Sequence, residues 1–411
     1  MEFIKPDTHI DFVGRKKWAF LVSGLLILMT FVSLAIHGGP NYGIDFAGGI
    51  LVQVKIDKPT SPGKIKEALK PLGMEDSVVQ SFGGGGVNEY LIRAEKSGLK
   101  LEGLGDKVGE VLQKTFGKGL EVRRVEMVGP KVGADLRNKA LNAIAWSLLF
   151  IMVYISIRFE DSDRRMSSIL MALVLAVAAF GAYWLCTEVI GMAASGVMLL
   201  LIPLAILAGL LACWPLRLRF ALGAIVALVH DVIITVGVFS LLDREFTLAT
   251  VAALLTIIGY SLNDTIVVFD RVRDNMKRAG KKDMGTIINE SVNQTLSRTL
   301  LTSGTTLLVL ACLYILGGGV IEDFALALLV GVVVGTYSSI FVASPVVMMM
   351  PFTKPAIGLG GGEAAPAKPA NPARPARQSQ EENLVPTRAP VTASKRAAAK
   401  TRQNKARKKR R

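Results

Sequence analysis

What most constrains this chain is a series of apolar runs, each about as long as a bilayer is thick. Trp18 to Ile36 and Ala140 to Ile157 are almost wholly apolar, and similar runs recur near 168–186, 195–214, 219–242, 247–269, 299–317 and 322–350. A helix of about 20 such residues crosses about 30 Å of hydrocarbon. Several runs carry at most one or two charges, so a soluble reading is poor, although 51% hydrophobic residues would by itself suit a soluble domain. The first run is too long for a signal-peptide core, and no A-x-A-like site follows at His37–Asn41. The expected fold class is a polytopic α-helical membrane protein with about eight transmembrane helices.

Charge placement sets the expected topology. Lys5, Arg15, Lys16 and Lys17 precede the first run, so residues 1–17 read as cytoplasmic by the positive-inside rule, with 18–36 as the first span. Residues 37–138 are then an outer, periplasmic domain, and 139–157 return inside, where Arg158, Arg164 and Arg165 stand. Two runs within 161–218 read as a transmembrane hairpin whose connector, Thr187–Ala194, has no Lys or Arg. Four more spans fill 219–350, with a cytoplasmic loop at 270–298 that holds Arg271, Arg273, Lys277, Arg278, Lys281 and Lys282. Both termini then lie in the cytoplasm.

Within 37–138, Ile50–Ile56 alternates like a strand, and Gly63–Leu72 reads as a helix after Ser61-Pro62. Val78–Phe82 and Glu89–Ala94 read as strands across a glycine turn. Leu104–Phe116 has helical apolar spacing, and Leu120–Val128 reads as a last strand. The order βαββαβ is that of a ferredoxin-like α+β domain.

The net charge of +15 belongs mostly to the end of the chain: 15 of the 48 Lys and Arg, but only 3 of the 33 acids, lie at 353–411. Residues 351–411 are rich in Pro, Ala, Lys and Arg and read as a disordered basic tail. Its end, Lys405–Arg411, suits anionic lipid or RNA phosphate, ribosomal RNA included. The alternative is a solvated tail that only reinforces topology. Cys186, Cys213 and Cys312 sit in or beside apolar runs without C-x-x-C pairing, and His9, His37 and His230 are scattered, so no metal site is expected. The phosphate-binding pattern G-x-x-x-x-G-K-[ST] is absent, which argues against ATP use.

Ionisable side chains inside a span cost about 2.5–3.5 kcal/mol each on insertion scales, and they usually face a cavity or a partner. Asp231 follows His230 near the middle of 219–242, Asp264 follows Asn263 inside 247–269, and Arg298 opens 299–317. Asp264 precedes Arg271 by two turns, about 10 Å below the helix end at about 1.5 Å per residue. Tyr260, Asp264 and Arg271 fall on roughly one helical face by spacing, and Thr295, Arg298, Thr302 and Thr305 form a stripe on the next span. A carboxylate helix beside an Arg/Thr-striped helix is what a proton relay needs. Burial disfavours the charged acid, a nearby guanidinium favours it, and moving the guanidinium switches proton affinity. Asp264 and Arg298 are the candidate relay pair. His230, Asp231, Asn263 and Thr302 are further relay or structural polar residues. The competing reading is an Asp–Arg pair that merely locks two helices.

Four motifs carry a family resemblance. Asn41–Gly49 (NYGIDFAGG) resembles the G-I-D-F-x-G-G signature of the SecF family, with Gly43, Asp45, Phe46, Gly48 and Gly49 at the matching positions. Val128–Gly133 (VGPKVG) resembles that family's lead into its second helix. Gly259–Arg273 (GYSLNDTIVVFDRVR) and Ser291–Thr299 (SVNQTLSRT) resemble two further motifs. The resemblance covers roughly 10–160 and 219–350. It implies a non-enzymatic inner-membrane subunit that pairs with SecD and associates with the SecYEG channel. Such a subunit uses the proton-motive force, without a cofactor, to complete export of unfolded preproteins after the SecA ATPase has acted. YidC and YajC are further partners it suggests. The family belongs with the resistance-nodulation-division transporters. It ties an acid in the N-D-T motif and an arginine in the Q-T-L-S-R motif to proton transport, which places those roles on Asp264 and Arg298. The chain departs from the family's usual six spans by the 161–218 insert, so six family-type helices plus an added pair are expected. Two other readings remain: a proton-driven small-molecule exporter of the related superfamily, and a passive scaffold for channel assembly.

Overall fold

The computed structural model describes residues 9–350 except 58, 75–76, 83–87, 95–102, 118, 160–203, 205–206, 209–210, 212, 214–217 and 281. The basic tail and nearly all of the 161–218 insert, with its expected hairpin, lie outside the described residues.

Within hydrocarbon every backbone polar group must be satisfied inside its own segment, so apolar runs of this length become helices. Six helical segments among the described residues are long and apolar enough to cross a membrane. They are α1 (Lys16–His37), α5 (Pro130–Phe159), α6 (Arg219–Leu241), α7 (Leu248–Arg278), α8 (Met284–Leu316) and a last one that spans Ile321–Met349. The last is composite: α9 (Gly319–Ser338) passes through a π-helical turn at Ser339–Ala343 into α10 (Ser344–Met349).

Two boundaries differ from expectation. Helix α5 starts at Pro130 rather than near 139, because proline suits the first helical turn, where its missing N–H has no partner to lose. The segment 270–298 is not a loop: α7 continues to Arg278 and α8 begins at Met284. The side chain of Asp283 caps α8 by accepting from Thr286 N at 3.1 Å. The basic residues of this segment therefore stand largely on helical extensions, which a hydropathy reading takes for loop because they are polar.

The sheet domain forms as its alternation predicts. Strands β1 (Gly49–Ile56), β2 (Val78–Phe82), β3 (Glu89–Ala94) and β4 (Leu120–Val128) make an antiparallel sheet in the order β2-β3-β1-β4. Helices α3 (Pro62–Ala68) and α4 (Leu104–Phe116) complete the βαββαβ order. Val52 pairs with Ile92 on one side and Val125 on the other. Ile50, Val52, Val54 and Ile56 share one core with Ile65 of α3, Leu69 just past its end, and Val108 and Leu112 of α4.

The segment 41–49 joins sheet to bundle. After α1, Gly43 N donates to Phe246 O at 3.0 Å and Phe246 N donates to Asn41 O at 2.7 Å, which ties this stretch to the turn between α6 and α7. A short helix, α2 (Ile44–Ala47), follows. Asp45 Oδ2 accepts from Leu248 N at 2.9 Å and so serves the first turn of α7. Phe46 is buried against Tyr42 and Phe246. The paired glycines Gly48 and Gly49 have φ of 77° and 128°.

Candidate functional site

Helix α6 brings two adjacent ionisable side chains to the bundle interior, His230 and Asp231, only 4% and 1% exposed. His230 Nδ1 lies 2.9 Å from Asp231 Oδ1. The hydroxyls of Ser261 on α7 and Ser338 on α9 donate to Asp231 Oδ2 at 2.6 and 2.9 Å. Across the imidazole, Nε2 lies 3.0 Å from Ser23 Oγ on α1. That oxygen is 3.1 Å from Tyr337 Oη, whose hydroxyl donates to Ala19 O at 2.7 Å. Helices α1, α6, α7 and α9 thus meet on one imidazole–carboxylate pair. Ser261 can approach so closely because Gly335 on α9 lacks a side chain; a Cβ there would stand 2.9 Å from Ser261 Cβ.

Asp264 lies three residues past Ser261 on α7 and is also buried, at 3% exposure. Its Oδ2 accepts from Ser303 Oγ on α8 at 3.2 Å, and Ser303 Oγ is 2.8 Å from Thr336 Oγ1 on α9. Arg298 is exposed. Among the described residues no ion pair or side-chain hydrogen bond joins it to Asp264.

The structure therefore sorts the expected residues. It brings His230 and Asp231 together, and it places Asp264 in the same interior. Asn263 and Thr302 face outward instead, as does Arg298. The Thr302 hydroxyl is spent on its own helix, on Arg298 O at 3.1 Å and Thr299 O at 3.0 Å. Of the expected stripe on α8, only Thr295 is buried, and the face of α8 that meets Asp264 carries Ser303. Tyr260 donates to Thr302 O and Thr306 Oγ1, and Arg271 is exposed, so Tyr260, Asp264 and Arg271 do not act as one face.

The partners that sequence reasoning missed are Ser23, Ser261, Ser303, Ser338 and Tyr337. The only signal for them is a hydroxyl within an apolar run. No spacing rule tells which hydroxyl on one helix meets a carboxylate on another. The signature residues Gly43, Asp45, Phe46, Gly48 and Gly49 form a structural joint and stand apart from this network. Among the described residues no group of His, Cys, Asp or Glu is arranged to hold a metal ion.

Two family models match the chain. The one for protein export membrane protein SecD/SecF, C-terminal, covers 107–202 and 189–353, and the SecD/SecF GG motif covers 33–60. The protein translocase subunit SecF of Magnetococcus marinus is 44% identical over 354 residues, 85% of this chain and 94% of that protein. The protein translocase subunit SecF of Escherichia coli O157:H7 is 35% identical over 342 residues, 83% and 87% of the two chains. Among solved structures, the chain resembles the crystal structure of SecDF, a translocon-associated membrane protein, from Thermus thermophilus, at TM-score 0.58 and 31% identity. That likeness covers 84% of this chain but 39% of the longer solved one. These matches do not favour the exporter or the scaffold reading.

Proposed function

Because this chain belongs to the SecF family of protein translocase subunits, we propose that it pairs with SecD beside the SecYEG channel and turns proton movement through its bundle into the late, SecA-independent stage of preprotein export. It is a multi-pass membrane protein and a transport component rather than an enzyme. In the proposed arrangement both termini face the cytoplasm, the sheet domain stands in the periplasm, and the proton gradient replaces any cofactor. The basic tail would meet anionic lipid or ribosomal RNA, and YidC and YajC are further candidate neighbours.

The observation that supports proton coupling is the state of Asp264. A carboxyl group in the middle of a spanning helix is held by one neutral hydroxyl, and among the described residues no ion pair joins it to a guanidinium. An unpaired buried charge is costly. A helix-locking pair would have Arg298 in contact. Here the Arg298 side chain is exposed, and its approach would compensate a negative charge on Asp264. A modest shift of α8 against α7 would then change whether Asp264 holds its proton.

Export of a preprotein into vesicles that contain the complete complex tests this, with and without an imposed proton gradient. Asp264→Asn removes the titrating group at nearly constant volume. It should abolish the gradient-dependent gain while the chain still co-purifies with its SecD partner. Arg298→Lys keeps the charge but loses the planar fork, so a partial loss is expected. A full gain with Asp264→Asn would refute the relay and leave Asp264 as a packing residue.

A further inference from the structure

We infer that His230 and Asp231 form a second proton-binding site, separate from Asp264, which holds one proton on the line between His230 Nδ1 and Asp231 Oδ1. Its use in coupling rests on the proton-driven reading above; its existence does not.

The directions of the hydrogen bonds lead to this site step by step. A backbone carbonyl only accepts, so the single hydroxyl proton of Tyr337 is spent on Ala19 O. In its 3.1 Å contact with Ser23, Tyr337 must therefore accept, and Ser23 must donate. That uses the one proton of Ser23. His230 Nε2, 3.0 Å from Ser23 Oγ, is left to be the donor and so carries a hydrogen. On the far side, Ser261 donates to Asp231 Oδ2 at 2.6 Å. Ser338 donates to the same oxygen at 2.9 Å, closer than its 3.2 Å approach to Gly335 O. Oδ2 is thus occupied as an acceptor. What remains is the 2.9 Å contact between Nδ1 and Oδ1. Without a proton, two lone pairs would face each other at hydrogen-bond distance, shut away from water.

One proton therefore sits there, as carboxylic acid beside neutral imidazole or as carboxylate beside imidazolium. Either way the pair is neutral overall, which is the state a buried site tolerates. Loss of that proton to a base outside the pair would turn the contact repulsive and drive Asp231 and the ring apart. The groups bound to them would follow: Ser338, which immediately precedes the π-helical turn Ser339–Ala343, and Ser23 on α1. Irregular turns of this kind inside helices are frequent at functional sites. Around the pair, Tyr337 from α9 stacks on the ring at 6.1 Å, α7 brings Asp264 one turn from Ser261, and α1 brings the Ser23 hydroxyl. Helix α5 contributes apolar Leu148, Leu149, Met152 and Ile155 to the core around α6.

The chain has three histidines, so ring-nitrogen signals can be assigned individually by solid-state magnetic resonance of the full chain reconstituted with its partner. The His230 ring should carry hydrogen on Nε2 and show Nδ1 in a strong hydrogen bond to a carboxyl group. A single titration should be lost in Asp231→Asn and unchanged in Asp264→Asn. Ser338→Ala, which removes one donor to Oδ2 and little volume, should shift that titration; it serves as the test if Asp231→Asn fails to fold. An Nε2 without hydrogen, a titration indifferent to both Asp231→Asn and Ser338→Ala, or one abolished by Asp264→Asn would overturn the proposal. None of these outcomes bears on whether Asp264→Asn loses gradient-dependent export, so the two sites fail or stand independently.

Discussion

At Gly48 the backbone adopts φ 77° and ψ 171°, a region open essentially to glycine alone. A Cβ there would also stand 2.8 Å from Pro130 Cα, the first residue of α5. Gly48→Ala should cost about 1–3 kcal/mol from backbone strain alone. It should appear as a lower melting temperature of the purified chain; an unchanged melting curve would show that the joint is not under this constraint. The motif was legible in the sequence as a string of letters, but its purpose was not, because the residue that forbids a side chain lies far along the chain. The same holds in the bundle. Asp231 and Asp264 stand out in any reading, since a carboxyl group in an apolar run is expensive. Their serine partners do not, since a hydroxyl within a helix can satisfy itself on its own backbone, as Thr302 does. Arg298 was the natural partner by charge, and the structure gives that place to Ser303 because burial favours a small neutral donor.

Among the elements, the turn between α6 and α7 fastens the sheet domain to the bundle. Glu245 in that turn meets Arg93 of β3 at 2.8 Å, with side chains only 16% and 6% exposed. The neighbouring Arg244 spans to Glu322 and Asp323 of α9 at 2.9 and 3.2 Å. Burial works against the Arg244 charge, but the carboxylates of Asp323 and Glu322 outweigh it and hold its pKa above the ordinary value. Between the open face of the sheet and this end of the bundle lies a cleft of about 570 Å³, lined by Gln53, Gln80, Arg124 and Glu245 among others. Removal of one partner from a buried ion pair typically costs about 3–5 kcal/mol. Arg93→Ala should therefore loosen the sheet from the turn, with faster hydrogen exchange along 243–247 and across β3 and little change in α3 and α4. Equal exchange in parent and variant would mean that the backbone bonds of Gly43 and Phe246 suffice. The strands themselves were readable because alternation with one buried face has a fixed period. The helical extensions within 270–298 were not, because a polar stretch of helix loses its hydropathy signal while it keeps its helical backbone.

For the whole molecule, the expected count of spans and the observed helices agree wherever residues are described, since length and apolarity alone decide what can cross a bilayer. The same helices hold the functional proposal together. The N-terminal stretch is pinned to α8 by Phe12 N on Asn289 Oδ1 at 2.8 Å and by Asn293, which bonds Ile10 on both backbone groups at 2.9 and 2.8 Å. Helix α8 carries Ser303, which bonds Asp264, and α1 carries Ser23, which contacts His230, so the strap links helices that touch the two buried sites. A shift of α8 relative to α7 would thus be felt at α1, and through 41–49 at the sheet domain.

The proposed coupling requires Asp264 to exchange a proton under the gradient. The direct measurement is infrared difference spectroscopy of the complete complex in sealed vesicles, recorded as the gradient is imposed and dissipated. Proton exchange at Asp264 should give a reversible change in a protonated-carboxyl carbonyl band, present in the parent and missing in Asp264→Asn. A gradient-induced band that persists unaltered in Asp264→Asn, or no such band in a parent that exports normally, would contradict it.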